Sequence, residues 1–418
     1  MSGTIQARTS LWQHRGFLLL WSGQTISQLG SQTTTWALPL TAVILLKATA
    51  SQMGFLVAVR YAAYLLIGLF AGVWADRVKR RPLLIVTDIG RALLLGTIPL
   101  IALLGRLSMT QLYIVTFLTG LLTVLFDVAY QSFLPSLVSR NQLIEGNSKL
   151  EASVAVADIA GPGLAGVLVQ LLTGPIAILA DALSFVVSAL SLAFIRVEES
   201  SPLIGERRSM WLEIGEGLRT VLHYPILRTL AISSGLFNLF DSILLTIYVL
   251  YLTKAIGVTP LLIGIIITIS SVGGLLGALF AGRITQVLGL GPTLLYSVLF
   301  ASVAEWVIAS ASGPHLIAIL LVIVGEASVQ AGAVVYGINN VSLRQAIVPS
   351  RLRGRVNATV RILSVGVVPL GALLGGFIGD KYGLRTAVFI AGGGTFLAFL
   401  WILFSPVWRL REQPRDEE

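Results

Sequence analysis

Residues 72–81 read GVWADRVKRR and join two long apolar runs, near residues 53–75 and 83–104. Each run is long enough to cross a bilayer as a helix, which takes about 20 mostly apolar residues. Basic residues concentrate in short loops on the cytoplasmic side of membrane proteins. The stretch therefore predicts two consecutive membrane helices joined by a short, basic, cytoplasmic loop.

The composition extends this reading to the whole chain. The 418 residues are 55% hydrophobic and 12% charged, whereas a soluble domain is about 25% charged. This apolar excess predicts an all-α, polytopic membrane protein with about 12 transmembrane helices. The candidate spans lie near residues 16–46, 53–75, 83–104, 111–138, 145–173, 176–196, 228–253, 258–281, 291–311, 314–340, 356–379 and 384–408.

One long polar break divides the spans into two sets of six. It predicts an N-terminal six-helix bundle over 1–196, a cytoplasmic linker over 197–227 and a C-terminal six-helix bundle over 228–418. The halves repeat weakly, since Gln131 and Pro135 end span four as Gln345 and Pro349 end span ten. Such repetition is typical of duplicated transporter folds, whose binding site lies between the repeats.

The basic residues also set the orientation. The predicted outer loops hold only five of them, whereas the other side holds most of the rest; the five are Lys47, Arg106, Lys254, Lys381 and Arg385. This asymmetry predicts a multi-pass inner-membrane protein with both termini cytoplasmic. It also accounts for the net charge of +9 without a nucleic-acid partner. The first apolar run is too long for a signal-peptide core.

The loop after span two resembles the G-x-x-x-D-R-x-G-R-R motif of the major facilitator superfamily. The matching residues are Gly72, Asp76, Arg77, Arg80 and Arg81, while Lys79 replaces the second glycine. The resemblance implies a cytoplasmic gate in which glycine permits close helix packing and aspartate caps a helix or pairs with arginine. The alternative is a basic loop that serves only as a topology signal.

A second motif lies in span five. Gly161, Pro162 and Gly166 resemble the antiporter motif of drug exporters in the same superfamily, and the alternative is an ordinary proline kink in a packed bundle. Softer matches along nearly the whole chain resemble the branch that contains macrolide efflux proteins and the enterobactin exporter.

The superfamily fold implies that spans 1, 2, 4, 5, 7, 8, 10 and 11 line a central cavity. Ionisable groups within a bilayer are costly and point to function. We expect proton-coupling or substrate-cavity residues among Asp158, Asp241, Glu326, Asp127, Arg60, Arg361, Gln24, Gln28 and Asn238. The alternative for each is a contact that only holds helices together. Asp88 and Arg91 are expected to be structural or part of the cytoplasmic gate network, and structural roles are expected for Asp181 and Glu305, all in the outer spans.

These features predict a secondary active transporter, not an enzyme. We expect proton-coupled efflux of amphipathic organic compounds of the drug, macrolide or siderophore type, by alternating access. The alternatives are an importer or a lipid or lysolipid flippase of the same fold, and, less favoured, an integral-membrane enzyme or a channel. The chain has no cysteine and three dispersed histidines, so neither a metal site nor a cofactor is expected. The expected partners are a small-molecule substrate, protons or another coupling ion, and the bilayer around a monomer.

Overall fold

The computed structural model describes residues 11–75, 78–197, 210–349 and 351–411, which contain helices and no strand. The predicted all-α membrane fold is confirmed. The helices are α1 Arg15–Ile44, α2 Ala50–Ala75, α3 Arg80–Leu103, α4 Met109–Leu137, α5 Leu143–Leu171, α6 Gly174–Phe194, α7 Met210–His223, α8 Pro225–Leu250, α9 Pro260–Leu288, α10 Leu290–Ser310, α11 His315–Ile347, α12 Arg353–Val365, α13 Val368–Tyr382 and α14 Leu384–Leu403.

Within the described residues, eleven segments are long and apolar enough to cross a membrane. The first predicted span, helix α1, has the length but is not among them. Its middle is rich in glutamine, serine and threonine, which lowers its hydropathy. These side chains bond to other helices, as when Thr25 donates to Ser153 of α5 at 2.9 Å. Hydrogen bonding of this kind lets a polar helix remain within a membrane bundle.

Two elements differ in detail from the sequence prediction. Span eleven is interrupted between Val365 and Val368, giving α12 and α13. Pro369 lacks the N–H that would bond one turn back, which explains the interruption at this point. The predicted linker contains the 14-residue helix α7, which is too short to span. Helix α7 packs on α12, where Glu216 pairs with Arg355.

The chain forms two compact units. Unit 1 comprises Met1–Thr41 and Leu66–Gly205, and unit 2 comprises Ala42–Leu65 and Glu206–Glu418. The start of α2 therefore groups with the C-terminal helices. The boundaries of the two six-helix halves stay a prediction.

The core of unit 1 lies where α1, α3, α4 and α6 meet. Leu20, Leu84 and Phe133 are fully or almost fully buried there. Close helix packing depends on small residues, because a Cβ on Gly23 would collide with Ser191 and one on Gly30 with Ser184. Helix α1 thereby lies directly against α6.

Unit 2 is built around α8, α10, α11 and α14. Its apolar core includes Leu294, Val298 and Ile402. Next to this core, the Tyr336 hydroxyl lies 2.6 Å from Ser233 Oγ, and Asn340 Nδ2 donates to Ser234 Oγ at 2.9 Å. These bonds join α8 to α11. Glycines set the spacing of α9 and α11, since a Cβ on Gly273 would collide with the Ala327 backbone.

Helix α13 packs through glycines on two neighbours within unit 2. A Cβ on Gly371 would meet Leu239 of α8, and one on Gly376 would meet the Ala50 carbonyl at the start of α2. At the end of α13, the Asp380 carboxylate accepts bonds from the N–H groups of Ala50 at 2.8 Å and Ser51 at 2.9 Å. A carboxylate satisfies the free N–H groups at a helix start and complements its dipole. Asp380 thus caps α2.

Candidate functional site

The predicted site residues of unit 1 centre on Asp158. Its carboxylate accepts a hydrogen bond from Gln32 Nε2 of α1 and carries no ion pair to a described residue. Glu151, two turns earlier on α5, adds a second negative charge on the same side. Asp158 is exposed and therefore accessible to a ligand or a proton. Gln32 was not singled out by the sequence reading, although it lies one turn beyond Gln28 on the polar face of α1.

The other unit 1 candidates have different surroundings. Gln24 is 3% exposed and donates to Ser188 Oγ of α6 at 2.9 Å, which is a contact between helices. Gln28 is half-buried on the same helix. Asp127 is half-buried on α4, close to Tyr130, whose ring stacks on Phe126 at 5.7 Å. Gln28 and Asp127 therefore remain candidates for cavity residues, whereas Gln24 forms a hydrogen bond between helices.

The gate motif is described in part. Asp76 and Arg77 lie outside the described residues, and Gly72 lies in α2. Arg81 Nε donates to the Leu192 carbonyl at 2.9 Å and its Nη2 to the Ala193 carbonyl at 2.5 Å. These carbonyls end α6, where a cation complements the helix dipole. Arg80 lies in the first turn of α3, and the gating role of the motif stays a prediction.

The motif in span five lies at a close helix contact. Gly161, Pro162 and Gly166 are all buried, and α5 runs as one helix through Pro162. A Cβ on Gly161 would collide with Gln32. Gly161 therefore permits the approach of α1 that brings Gln32 to Asp158, one turn earlier on α5.

The predicted ion pair in the outer helices of unit 1 is present. Asp88 is fully buried and pairs with Arg91, which is 4% exposed. The Arg91 guanidinium stacks on Phe126 at 4.2 Å and on Phe185 at 4.1 Å. Cation–π contacts of this kind help to hold a desolvated guanidinium. The buried acid of α3 is thus compensated by a cation on its own helix.

Unit 2 brings together three carboxyl groups. Asp241 on α8, Glu305 on α10 and Glu326 on α11 interact electrostatically with one another. None of them forms an ion pair with a described residue. Asp241 and Glu326 are half-buried, whereas Glu305 is fully buried. We call these three residues the carboxyl cluster.

The polar partners of the carboxyl cluster are few. Gln330 Nε2 donates to Glu326 at 3.2 Å, and Thr395 Oγ1 of α14 lies 3.0 Å and 3.2 Å from the two oxygens of Glu305. The sequence reading selected Asp241 and Glu326 but gave Glu305 a structural role and omitted Thr395. The signal for Glu305 was present in the sequence, because it is an acid within an apolar span.

The remaining unit 2 candidates lie outside the cluster's hydrogen bonds. Asn238 is half-buried one turn before Asp241 on α8. Arg361 is exposed on α12 and Arg60 is exposed on α2. Among the described residues there is no group of histidines and acids with the geometry of a metal site. The chemistry that this arrangement supports is binding of protons or cations by carboxylates.

Comparison with known proteins identifies the fold's family. The Major Facilitator Superfamily model matches residues 20–358 and 230–418. The chain belongs to this superfamily. It is 31% identical to the multidrug efflux pump Tap of Mycolicibacterium fortuitum over 363 residues, which is 82% of this chain and 84% of Tap. The superfamily and its relatives are transporters, so the prediction that the chain is not an enzyme is confirmed.

The predicted resemblance to efflux proteins is also confirmed. Macrolide efflux protein A of Streptococcus pyogenes is 24% identical over 196 residues, 46% of each chain. Among solved structures, the nucleoside transporter NupG superposes with a TM-score of 0.79 at 12% identity, covering 94% of this chain and 99% of NupG. That likeness shows the shared fold alone, because proteins with one fold carry different cargoes.

Proposed function

We propose that this superfamily transporter exports amphipathic organic compounds of the drug, macrolide or siderophore type in exchange for protons. The observation that carries the proposal is the carboxyl cluster of unit 2, together with Asp158 of unit 1. These acids lie within apolar helices and lack a cationic partner among the described residues. Carboxyl groups that are shielded from water, as in the carboxyl cluster, take up protons more readily than in water, whereas the exposed Asp158 is directly accessible to protons.

The direction of transport is inferred from the relatives. Tap and macrolide efflux protein A are named for efflux, and we extend that direction to this chain. An importer and a lipid or lysolipid flippase are the alternatives within the same fold. The cycle is alternating access between two six-helix halves, with both termini on the cytoplasmic side of an inner membrane, in a monomer.

Transport into inverted membrane vesicles tests this proposal. Vesicles with an acidified lumen and a pH-sensitive dye are given erythromycin, tetracycline, tetraphenylphosphonium or enterobactin. We expect at least one compound to accumulate while protons leave the lumen. An antibody against an added C-terminal epitope should bind these vesicles without permeabilisation. Accumulation without proton release would contradict the exchange, and uptake only in right-side-out vesicles would favour an importer.

The cap on α2 gives a first prediction. The two bonds from Ala50 and Ser51 to Asp380 join α2 to α13 at their predicted outer ends. A bond that forms in only one conformation shifts the equilibrium toward that conformation. Asp380→Asn weakens both bonds, so we expect α2 and α13 to separate more often. Ala50 packs against Gly379 and is 3% exposed. A cysteine introduced there as a reporter, Ala50→Cys, should then react several-fold faster with an impermeant maleimide.

The chain suits this measurement because its sequence contains no other cysteine. Lys381→Gln is the matched control, since it removes the neighbouring charge, which lies over the Phe377 and Tyr382 rings and makes no described bond to α2. Equal labelling rates in the Asp380→Asn and parent backgrounds would show that the cap does not influence opening.

A further inference from the structure

Each unit has a fully buried acid in one of its predicted outer helices, but the two acids have different partners. In unit 1, Asp88 of α3 is paired with Arg91. In unit 2, the fully buried Glu305 of α10 has no partner but the Thr395 hydroxyl of α14 among the described residues. An ionised carboxylate that is buried with a single hydroxyl donor is strongly unfavourable. Glu305 therefore differs from an acid whose charge is fixed by a structural ion pair.

Close helix contacts place Glu305 beside the other two acids. Gly325, which precedes Glu326, packs against Ala304, which precedes Glu305. Gly394, which precedes Thr395, packs against the ring of Phe240, which precedes Asp241. The packing of α8, α10, α11 and α14 thus brings the three carboxyl groups to one region of unit 2. The negative charges of Asp241 and Glu326 act on Glu305 there.

A tyrosine hydroxyl also lies next to the carboxyl cluster. Tyr248 of α8 is 3% exposed, and its hydroxyl lies beside the Glu326 carboxyl. The hydroxyl makes no hydrogen bond of ordinary geometry with any described group. Buried polar groups are nearly always hydrogen-bonded. A hydroxyl at this position can donate to Glu326 when that residue loses its proton.

We propose that Glu305 is a proton-binding residue of the transporter, which exchanges a proton with Asp241 and Glu326. The inference deepens the proposed proton exchange and rests on it. One O–H bond on Glu305 breaks as one forms on Asp241 or Glu326, and the electron pair remains on the Glu305 carboxylate. Because Glu305 is fully buried, its proton reaches water through the half-buried Asp241 or Glu326. Neighbouring carboxyl groups share protons as one unit.

Infrared difference spectroscopy of the full chain in lipid nanodiscs tests this role with pH as the only variable. Spectra of wild type and Glu305→Gln are recorded from acidic to alkaline pH, following the C=O band of protonated carboxyl groups. Removing one carboxyl that titrates removes part of this pH-dependent signal.

A matched variant separates proton binding from packing. Ser302 is fully buried on α10 and donates to the Gly392 carbonyl of α14 at 2.9 Å. Ser302→Ala removes a bond between the same two helices without removing a titrating group, so its pH-difference spectrum should match the wild type. The double variant Glu305→Met/Thr395→Val replaces both partners with apolar groups, which folding tolerates better than one unpaired partner. It should reproduce the spectrum of Glu305→Gln.

The outcomes distinguish this inference from the proposed function. If Glu305→Gln and the double variant both keep the wild-type pH-difference spectrum, Glu305 holds one protonation state throughout, and the inference is overturned. Vesicle transport can still release protons in that case, which leaves the proposed exchange standing on other acids. If wild-type vesicles transport without proton release, the proposed exchange fails and this inference fails with it.

Discussion

Asp241→Asn and Glu326→Gln should each reduce gradient-driven efflux in reconstituted vesicles to less than about a tenth of the wild-type value, a factor equivalent to ~1.4 kcal/mol. A proton-driven carrier needs a group that gains and loses the proton, and both replacements remove that group while keeping similar volume. Counterflow of labelled substrate, which needs no net proton movement, should persist in part. Both residues are half-buried in unit 2 and are therefore less shielded from water than Glu305.

Asp158→Asn is expected to have a smaller effect on coupling. Asp158 is exposed and already accepts a bond from Gln32, and the asparagine retains an acceptor for that bond. Glu145→Gln is the matched control, because the exposed Glu145 pairs with Lys149 at 3.5 Å and exposed pairs contribute little. Efflux is compared per folded molecule. If Asp158→Asn, Asp241→Asn and Glu326→Gln all retain uphill accumulation, protons are not carried by these acids.

The fold was largely predictable because membrane burial leaves a strong sequence signal. Long apolar runs located the spans, whereas the linker over residues 197–227 stays a prediction. The interruption between α12 and α13 at Pro369 was not predicted. A proline interrupts one helix and is accommodated in another, since α5 continues through Pro162. Neighbouring helices decide between these outcomes, and a single sequence does not show the neighbours.

The candidate site was predictable in part. Their positions within apolar spans singled out Asp241 and Glu326, and the structure brings them into one cluster. Glu305 was given a structural role because its span lies outside the cavity in the superfamily fold. Its approach to Asp241 and Glu326 depends on close helix packing at Gly325 and Gly394. The contrast with Asp88 also needed the structure, because only coordinates show which buried acid has a cation beside it.

Capping and packing contacts between distant segments were least predictable. Asp380 lies in the last turn of the glycine-rich helix α13, next to Lys381, a context that suggests an ordinary surface acid. Its bonds to Ala50 and Ser51 join residues about 330 positions apart in the chain. Gln24 was a cavity candidate with a helix contact as the alternative, and it bonds to Ser188. In each case the sequence shows a polar side chain, but only the tertiary packing determines which group it bonds to.

Gly161→Leu should abolish transport and sharply reduce the amount of folded protein, and Gly161→Ala should reduce both less severely. Even a Cβ at this position collides with Gln32 of α1, so α1 and α5 must separate. Packing drives helix association within membranes, where the hydrophobic effect contributes little. The separation would also break the bond from Gln32 to Asp158, which links the packing defect to the candidate site.

Gly96 provides the matched control within the same unit. It lies inside α3, and a Cβ there would meet nothing within 4 Å. Gly96→Ala should be neutral or stabilising by up to about 1 kcal/mol, because alanine favours a helix more than glycine does. Thermal unfolding of purified protein and transport per folded molecule measure both variants. If Gly161→Leu unfolds and transports like Gly96→Ala, the contact between α1 and α5 is not required for the fold or for the site.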